Sequence, residues 1–215
     1  MKLSASPSQA EQTFIGFTMG FEELAWLFAS AAHNRGIIRQ DLNEATMLWT
    51  AVRASRGPML EIGRRHGGST ILLLLAGLDR SLLSIDLEPA HHPICDHYFQ
   101  KPEIAARLTL KVGDSRIPSD MSFGFAFIDG DHTYEGVKAD VIAHWNNLHD
   151  FDGFPAGAVF HDAVPNDQGV GQSSSHHDGV QKVCDELISH GCGIKRGIAG
   201  SSLWIQKTNN LPANF

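Results

Sequence analysis

The feature that most constrains this chain is an alternation that begins at Gly57. Short apolar runs of strand length are separated by longer segments of helical period. Parallel neighbours in a sheet need a crossover of a dozen residues or more, usually a helix, so such alternation specifies a parallel α/β sheet. The expected strands cover residues 58–62, 82–85, 108–112, 123–128 and 158–160. Residues 194–198 and 203–206 form an antiparallel pair around Ala199-Gly200-Ser201. Helices are expected over 69–78, 92–107, 133–148 and 179–190, with Tyr134, Val137, Val141, Ile142 and Trp145 inward on the third of these. Two more precede the sheet, over 21–34 and 41–55, and are expected to cap one end of it. The fold class is therefore α/β: a Rossmann-like, doubly wound, mostly parallel seven-stranded sheet with helices on both faces and two extra N-terminal helices. Residues 1–56 read as an arm and cap helices, and residues 57–215 as the main unit of a single globular domain.

The first strand runs into Gly63-Arg64-Arg65-His66-Gly67-Gly68-Ser69-Thr70, and the second ends at Asp86, 23 positions after Gly63. That order suits a nucleotide site, with the acid placed to accept hydrogen bonds from ribose hydroxyls. Gly63 lets the chain turn sharply, and Gly67 and Gly68, lacking Cβ, are read as letting a ligand approach the backbone. The dinucleotide fingerprint is absent, since Arg65 stands at its second glycine. The phosphate loop is absent too, since Ser69 follows glycine and not lysine. Glu61 would repel a pyrophosphate but could pair with a cation. An adenosine carrying a sulfonium and an ammonium fits that charge, which points to S-adenosylmethionine.

Asp86, Asp114, Asp129 and Asp162 each follow a strand and so share one rim of the sheet. Four acids crowded there call for something cationic among them. Glu61, Gly63, Gly67, Ser69, Asp86, Asp114 and Ser115 form a cofactor half. Asp129, His132, His161 and Asp162 form a reaction half, with Asp129 and Asp162 as metal ligands and Asp129, His132 and His161 as catalytic residues. Carboxylates with open positions suit Mg²⁺, which would lower the pKa of a substrate hydroxyl. A histidine beside it would take the proton. Each residue also has a structural reading. Asp86 could cap the following segment, Glu61 could pair with Arg64 or Arg65, and Asp114 could be a turn residue. Asp131 reads as a cap for the helix at Thr133. Residues 166–178, rich in glycine, serine and histidine, read as a loop beyond a strand end, and its His176-His177 pair is a further proton-acceptor candidate.

With 42% hydrophobic and 19% charged residues the chain can bury a substantial core. Its net charge of −7 argues against a nucleic-acid partner. No apolar run approaches a membrane span and no apolar signal core opens the sequence, so a cytoplasmic protein without a membrane partner is expected. Cys95, Cys184 and Cys192 lack metal-type spacing and read as free buried thiols. Homo-oligomerisation is left open.

The segments Leu60-Glu61-Ile62-Gly63, Gly67-Gly68-Ser69-Thr70, Ser84-Ile85-Asp86, Val112-Gly113-Asp114-Ser115, Phe127-Ile128-Asp129-Gly130-Asp131-His132-Thr133-Tyr134-Glu135-Gly136-Val137 and Gly157-Ala158-Val159-Phe160-His161-Asp162 resemble the class I S-adenosylmethionine-dependent methyltransferases. Within these the chain is similar to small-molecule O-methyltransferases related to macrocin-type sugar methyltransferases and to cephalosporin-hydroxylase-like proteins. The likeness spans residues 57–206. It implies methyl transfer from S-adenosylmethionine to a hydroxyl of a small molecule. It also implies Mg²⁺ bound by the first acid of Asp-Gly-Asp and by an acidic pair after the fifth strand. Asp129 and Asp162 match those positions, while His161 stands where many relatives carry an acid. Two other readings stay open. One is a non-catalytic S-adenosylmethionine-binding protein. The other is a metal-dependent, hydroxylase-related protein on the same scaffold.

Overall fold

The computed structural model describes residues 37–38, 40–89, 92–165 and 175–215, without the side chains of Ser175 and His176. The helix expected over 21–34 lies outside the described residues. The first described helix, α1, spans Leu42–Arg53. Asp41 caps it by accepting from the Glu44 backbone N–H while the Glu44 carboxylate accepts from the Asp41 N–H, a reciprocal box that satisfies two donors at the helix start.

Next come β1 (Met59–Ile62), α2 (Gly68–Ala76), β2 (Leu82–Asp86), α3 (Pro93–Phe99), α4 (Pro102–Ala105), β3 (Leu108–Val112), β4 (Phe125–Ile128), α5 (Tyr134–His144), β5 (Gly157–Phe160), α6 (Ser175–Ser189), β6 (Gly193–Ala199) and β7 (Ser202–Lys207). The strands form one seven-stranded sheet in the order β3-β2-β1-β4-β5-β7-β6. The first five are parallel, and β7 runs antiparallel to both β5 and β6. The expected fold class is the observed one.

Because side chains alternate along a strand, the sheet has two apolar faces. Met59, Leu82, Phe125, Phe127 and Val159 pack with α1, α2, α3 and α4. Leu60, Ile62, Leu83, Ile85, Ala126, Ile128, Ala158 and Phe160 pack with α5 and α6. Placing α1 at one end of the sheet was wrong: Ala45, Leu48, Ala51 and Val52 lie on its face. The helix expected over 92–107 is two helices, because Pro102 holds Lys101 extended. α5 stops at His144 and continues as a 3-10 turn, and Ile142 faces out rather than in. α6 begins at Ser175, so the end of the expected loop is helical and His177 is buried. All three cysteines are free and buried, as expected. Among the described residues no helix is long and apolar enough to cross a membrane.

Candidate active site at the carboxyl ends of the central strands

From β1 the chain winds outward through β2 and β3, then returns to β4 on the other side of β1 and winds outward through β5. The carboxyl ends of β1 and β4 thus flank a switch point, where an open α/β sheet leaves a crevice. A cavity of about 640 Å³ lies there. Gly63, Ser69, Asp86, Asp114 and Ser115 line one part of it, and Asp129, His132, His161 and Asp162 line another. Of the expected site residues, Glu61 and Gly67 do not line it.

Glu61 shares the sheet face of Met59, so its carboxylate points under the start of α2. There it is fully buried and accepts 2.6 Å hydrogen bonds from the hydroxyls of Ser69, Thr70 and Ser84. Burial raises its pKa, and the three hydroxyls and the Arg64 charge only partly offset this. The carboxylate braces the turn and does not face the cavity. Gly63 has φ +83, and a Cβ on it would overlap the Asp129 carbonyl. The β1 and β4 ends can close together only because this residue is glycine. Cβ atoms on Gly67 and Gly68 would meet the Phe99 ring and the Ile37 carbonyl, so the smallness of both serves packing within the protein; Gly68 also lines the cavity, and Gly67 does not.

Asp86 accepts from the backbone N–H of Arg65 at 2.8 Å and of Glu88 at 3.0 Å, one on each oxygen. It therefore caps the following segment and lines the cavity at once, and each oxygen keeps a lone pair. Asp114 is clasped by Arg116, whose Nε and Nη2 donate at 2.8 and 2.7 Å. Those bonds hold its pKa down at about 2. The Ser115 hydroxyl donates to Asp140 at 2.6 Å.

The reaction half is assembled from two strand ends, with Asp129 and His132 after β4 and His161 and Asp162 after β5. Asp129 and His161 follow Phe127 and Val159 in alternation, so both sit on the α1 face of the sheet. Asp162 has φ +51, a left-handed conformation that aspartate tolerates. Asp129 Oδ1 is 3.2 Å from His161 Nδ1 and 3.7 Å from His132 Nε2. Asp162 Oδ2 is 3.0 Å from His132 Nε2 and 3.2 Å from His161 Nδ1. Atoms of these four residues all lie within 4.8 Å of one another, a grouping able to hold a metal ion. The hydrogen-bonding reach of Asp129 and Asp162 lifts His132 to about 9, against burial. His161 is raised well above its usual value because the Asp129 charge outweighs burial. Both carboxylates are correspondingly held below their usual range, again against burial.

Residues not singled out in the sequence complete this wall. Glu44 of α1 is buried, with Oε2 3.4 Å from His161 Nε2 and Oε1 accepting from the Ser201 N–H and hydroxyl at 2.7 Å each. His161 and Ser201 bring its pKa down to about 2, against burial. Its signal was available: an acid among the core-facing residues of an amphipathic helix needs a buried partner. Gln40 donates to Asp129 Oδ2 at 3.2 Å and lines the cavity. His177, one of the proton-acceptor candidates, is buried with Nδ1 3.1 Å from the Asp162 carbonyl and does not line the cavity. Arg64 is buried and donates to the carbonyls of Ser84, Lys111 and Glu88, tying β2, β3 and the loop after β2 together. Asp131 accepts from the Thr133 N–H at 2.8 Å, the capping reading.

Residues 60–163 match the model of a family described as a methyltransferase domain. No curated protein matches the sequence. Solved structures share the fold at low identity. A cofactor-bound protein from MTB is 16% identical, with a TM-score of 0.63 over 96% of this chain and 100% of that one. The O-methyltransferase from Bacillus cereus in complex with SAH is 14% identical, with a TM-score of 0.60 over 93% and 97%. An O-methyltransferase from neocarzinostatin biosynthesis, in complex with S-adenosylmethionine and 2-hydroxy-5-methyl naphthoic acid, is 16% identical, with a TM-score of 0.54 over 93% and 59%.

Proposed function

We propose, from the match of residues 60–163 to a methyltransferase-domain family and the resemblance of the strand-end motifs to class I S-adenosylmethionine-dependent methyltransferases, that this protein moves the cofactor's methyl group to a hydroxyl oxygen of a small polyhydroxylated molecule. One observation carries the reading: a single cavity has an acid with spare lone pairs on one wall and the His-Asp cluster on the other. A cofactor and an acceptor can therefore meet in it.

Asp86 accepts from the ribose hydroxyls of the cofactor, in a bond strengthened by its charge. Gly63 and Ser69 bound the same side, with Asp114 and Ser115 at its far end. Glu61 holds the turn in shape from beneath. In the transfer, the acceptor oxygen attacks the methyl carbon, the S–CH₃ bond breaks as the O–CH₃ bond forms, and the sulfonium becomes a neutral thioether. Holding both partners in line supplies much of the acceleration. The hydroxyl proton passes to His132 Nε2 when that ring is in its neutral form, which the pKa of about 9 makes the minor one near neutral pH; it is the more accessible imidazole, with 26% of its side chain exposed against 12% for His161. A divalent cation at Asp129 and Asp162, Mg²⁺ on the evidence of the acids alone, supplies Lewis-acid stabilisation of the developing alkoxide when bound. Relatives that bind S-adenosylmethionine or its product, one of them beside a small hydroxylated aromatic acid, support this reading. The cytoplasm is its proposed location.

Calorimetric titration of S-adenosylmethionine into the chelator-treated protein tests the cofactor half. Micromolar-range binding is expected, weakened more than about tenfold in Asp86→Ala as charge-assisted hydrogen bonds are lost. No binding by the intact protein would remove the methyltransferase reading. Unchanged affinity in the variant would remove the role of Asp86 alone.

A further inference from the structure

His161 is the least usual member of the reaction half, and its surroundings do not resemble those of a general base. Its side chain is 12% exposed and wedged between two carboxylates, at the end of a strand and beneath α1. Its Nδ1 makes no hydrogen bond, although a carboxylate oxygen stands 3.2 Å away on either side. An imidazolium serving only as an ion-pair partner would aim its N–H at one of them. Here the nitrogen faces the space between. Donor atoms bound at about 2.1 Å to one ion lie roughly 3.0–3.4 Å apart, and His161 Nδ1 stands 3.2 Å from an oxygen of each carboxylate, within a group whose ligand atoms all lie within 4.8 Å of one another. The other ring nitrogen faces the buried Glu44 carboxylate at 3.4 Å. A carboxylate on the far side of a histidine holds a proton on that nitrogen, and a metal ion at the near nitrogen would displace the second proton. A second observation lies beside the cluster. Gln40 is 5% exposed and lines the cavity, its amide N–H₂ donates to Asp129, and its Oε1 has no hydrogen-bond partner.

The structure assigns His161 Nδ1, together with Asp129 and Asp162, to a divalent-cation site whose imidazole selects a first-row transition ion over Mg²⁺, with Glu44 as the residue that positions His161. The assignment rests on the proposed function for its location but not for its chemistry. Mg²⁺ takes oxygen ligands, whereas imidazole suits zinc, iron and their neighbours. A one-nitrogen, two-carboxylate set leaves positions open for an acceptor's oxygens. His132, more exposed, remains outside the ligand set as the proton acceptor.

The test is metal binding to the full chain after chelator treatment, read by calorimetry with Zn²⁺ alone and Mg²⁺ alone, and by the visible spectrum of the Co²⁺-loaded protein. Zn²⁺ is expected to bind at least about 100-fold more tightly than Mg²⁺, by the affinity order of nitrogen-containing sites. His161→Asp, which returns an acid to that position, should cut this preference about tenfold or more while retaining Mg²⁺ binding. Glu44→Gln should weaken Zn²⁺ binding about tenfold or more, as loss of an outer-shell partner does. It should also alter the Co²⁺ bands, which a purely structural role would leave unchanged. Circular dichroism establishes that each variant is folded. Zn²⁺ affinity and preference unmoved by His161→Asp would overturn the assignment. So would failure of the wild-type protein to bind any of the three ions, which would leave His161 an ion-pair partner only. Cofactor titration into the metal-free protein reports separately on the methyltransferase reading.

Discussion

Asp140 shows how much one residue can differ from what its type suggests. It is 2% exposed on α5, and its carboxylate accepts from the Ser115 hydroxyl. Burial, with the nearby Asp131 and Asp114 charges, lifts its pKa to about 6 despite that bond. The sign follows directly. Between the ordinary value of 3.8 and about 6 the unfolded chain gives up this proton before the folded one, so stability falls as pH rises through that window. Asp140→Asn keeps an acceptor for Ser115 and removes the buried charge. It should stabilise the protein at pH 8 by on the order of 2–3 kcal/mol, and by nothing at pH 3.5. Thermal unfolding at the two pH values checks this. An equal change at both would mean that packing, not charge, is responsible. Asp140 was not foreseen, because an acid on a helix of mixed polarity looks solvated until the element above it is known. Asp86 was legible, since its place after the glycine turn follows from chain order alone.

At the scale of elements, the β1–α2 turn is where local sequence and tertiary contact agree most closely. Gly63 needs φ +83 to leave the strand, and its missing Cβ admits the Asp129 carbonyl from β4. One residue thus sets both the turn and the approach of two strand ends that carry opposite halves of the site. Gly63→Ala should cost about 3 kcal/mol or more, since the strained φ and the overlap with backbone add. Cofactor affinity should fall with it. Urea unfolding measures the first. A loss under 1 kcal/mol would show that the strand ends can part without penalty. The glycines at 67 and 68 carry the opposite lesson. Their presence in the turn was visible, but their reason was not, because the Phe99 ring and the Ile37 carbonyl that crowd them come from other parts of the chain.

At the scale of the whole molecule, a boundary at residue 57 separates two patterns in the sequence but cuts through one packed face. α1 covers Met59, Phe125, Phe127 and Val159, and it brings Glu44 to His161. We read the two parts as one cooperative unit. A fragment of residues 57–215 should therefore expose a large apolar patch, bind apolar dyes and self-associate. The full chain should unfold in one transition, with far-UV circular dichroism and tryptophan fluorescence coinciding. A monomeric fragment with undiminished cofactor affinity would overturn that view.

Chain order and hydrophobic period, both local properties, were enough to determine the parallel sheet, its closing antiparallel pair and the rim on which Asp86, Asp129, His161 and Asp162 meet. A strand's carboxyl end is known as soon as the strand is. What side chains do once there depends on which neighbours arrive from distant parts of the chain, and only the tertiary structure decided that. It turned Glu61 inward to three hydroxyls and set Glu44 and Gln40 from the N-terminal part against the reaction half. Residues 44 and 161 are 117 positions apart. Their meeting is decided by how α1 packs across the sheet, which no window of sequence contains.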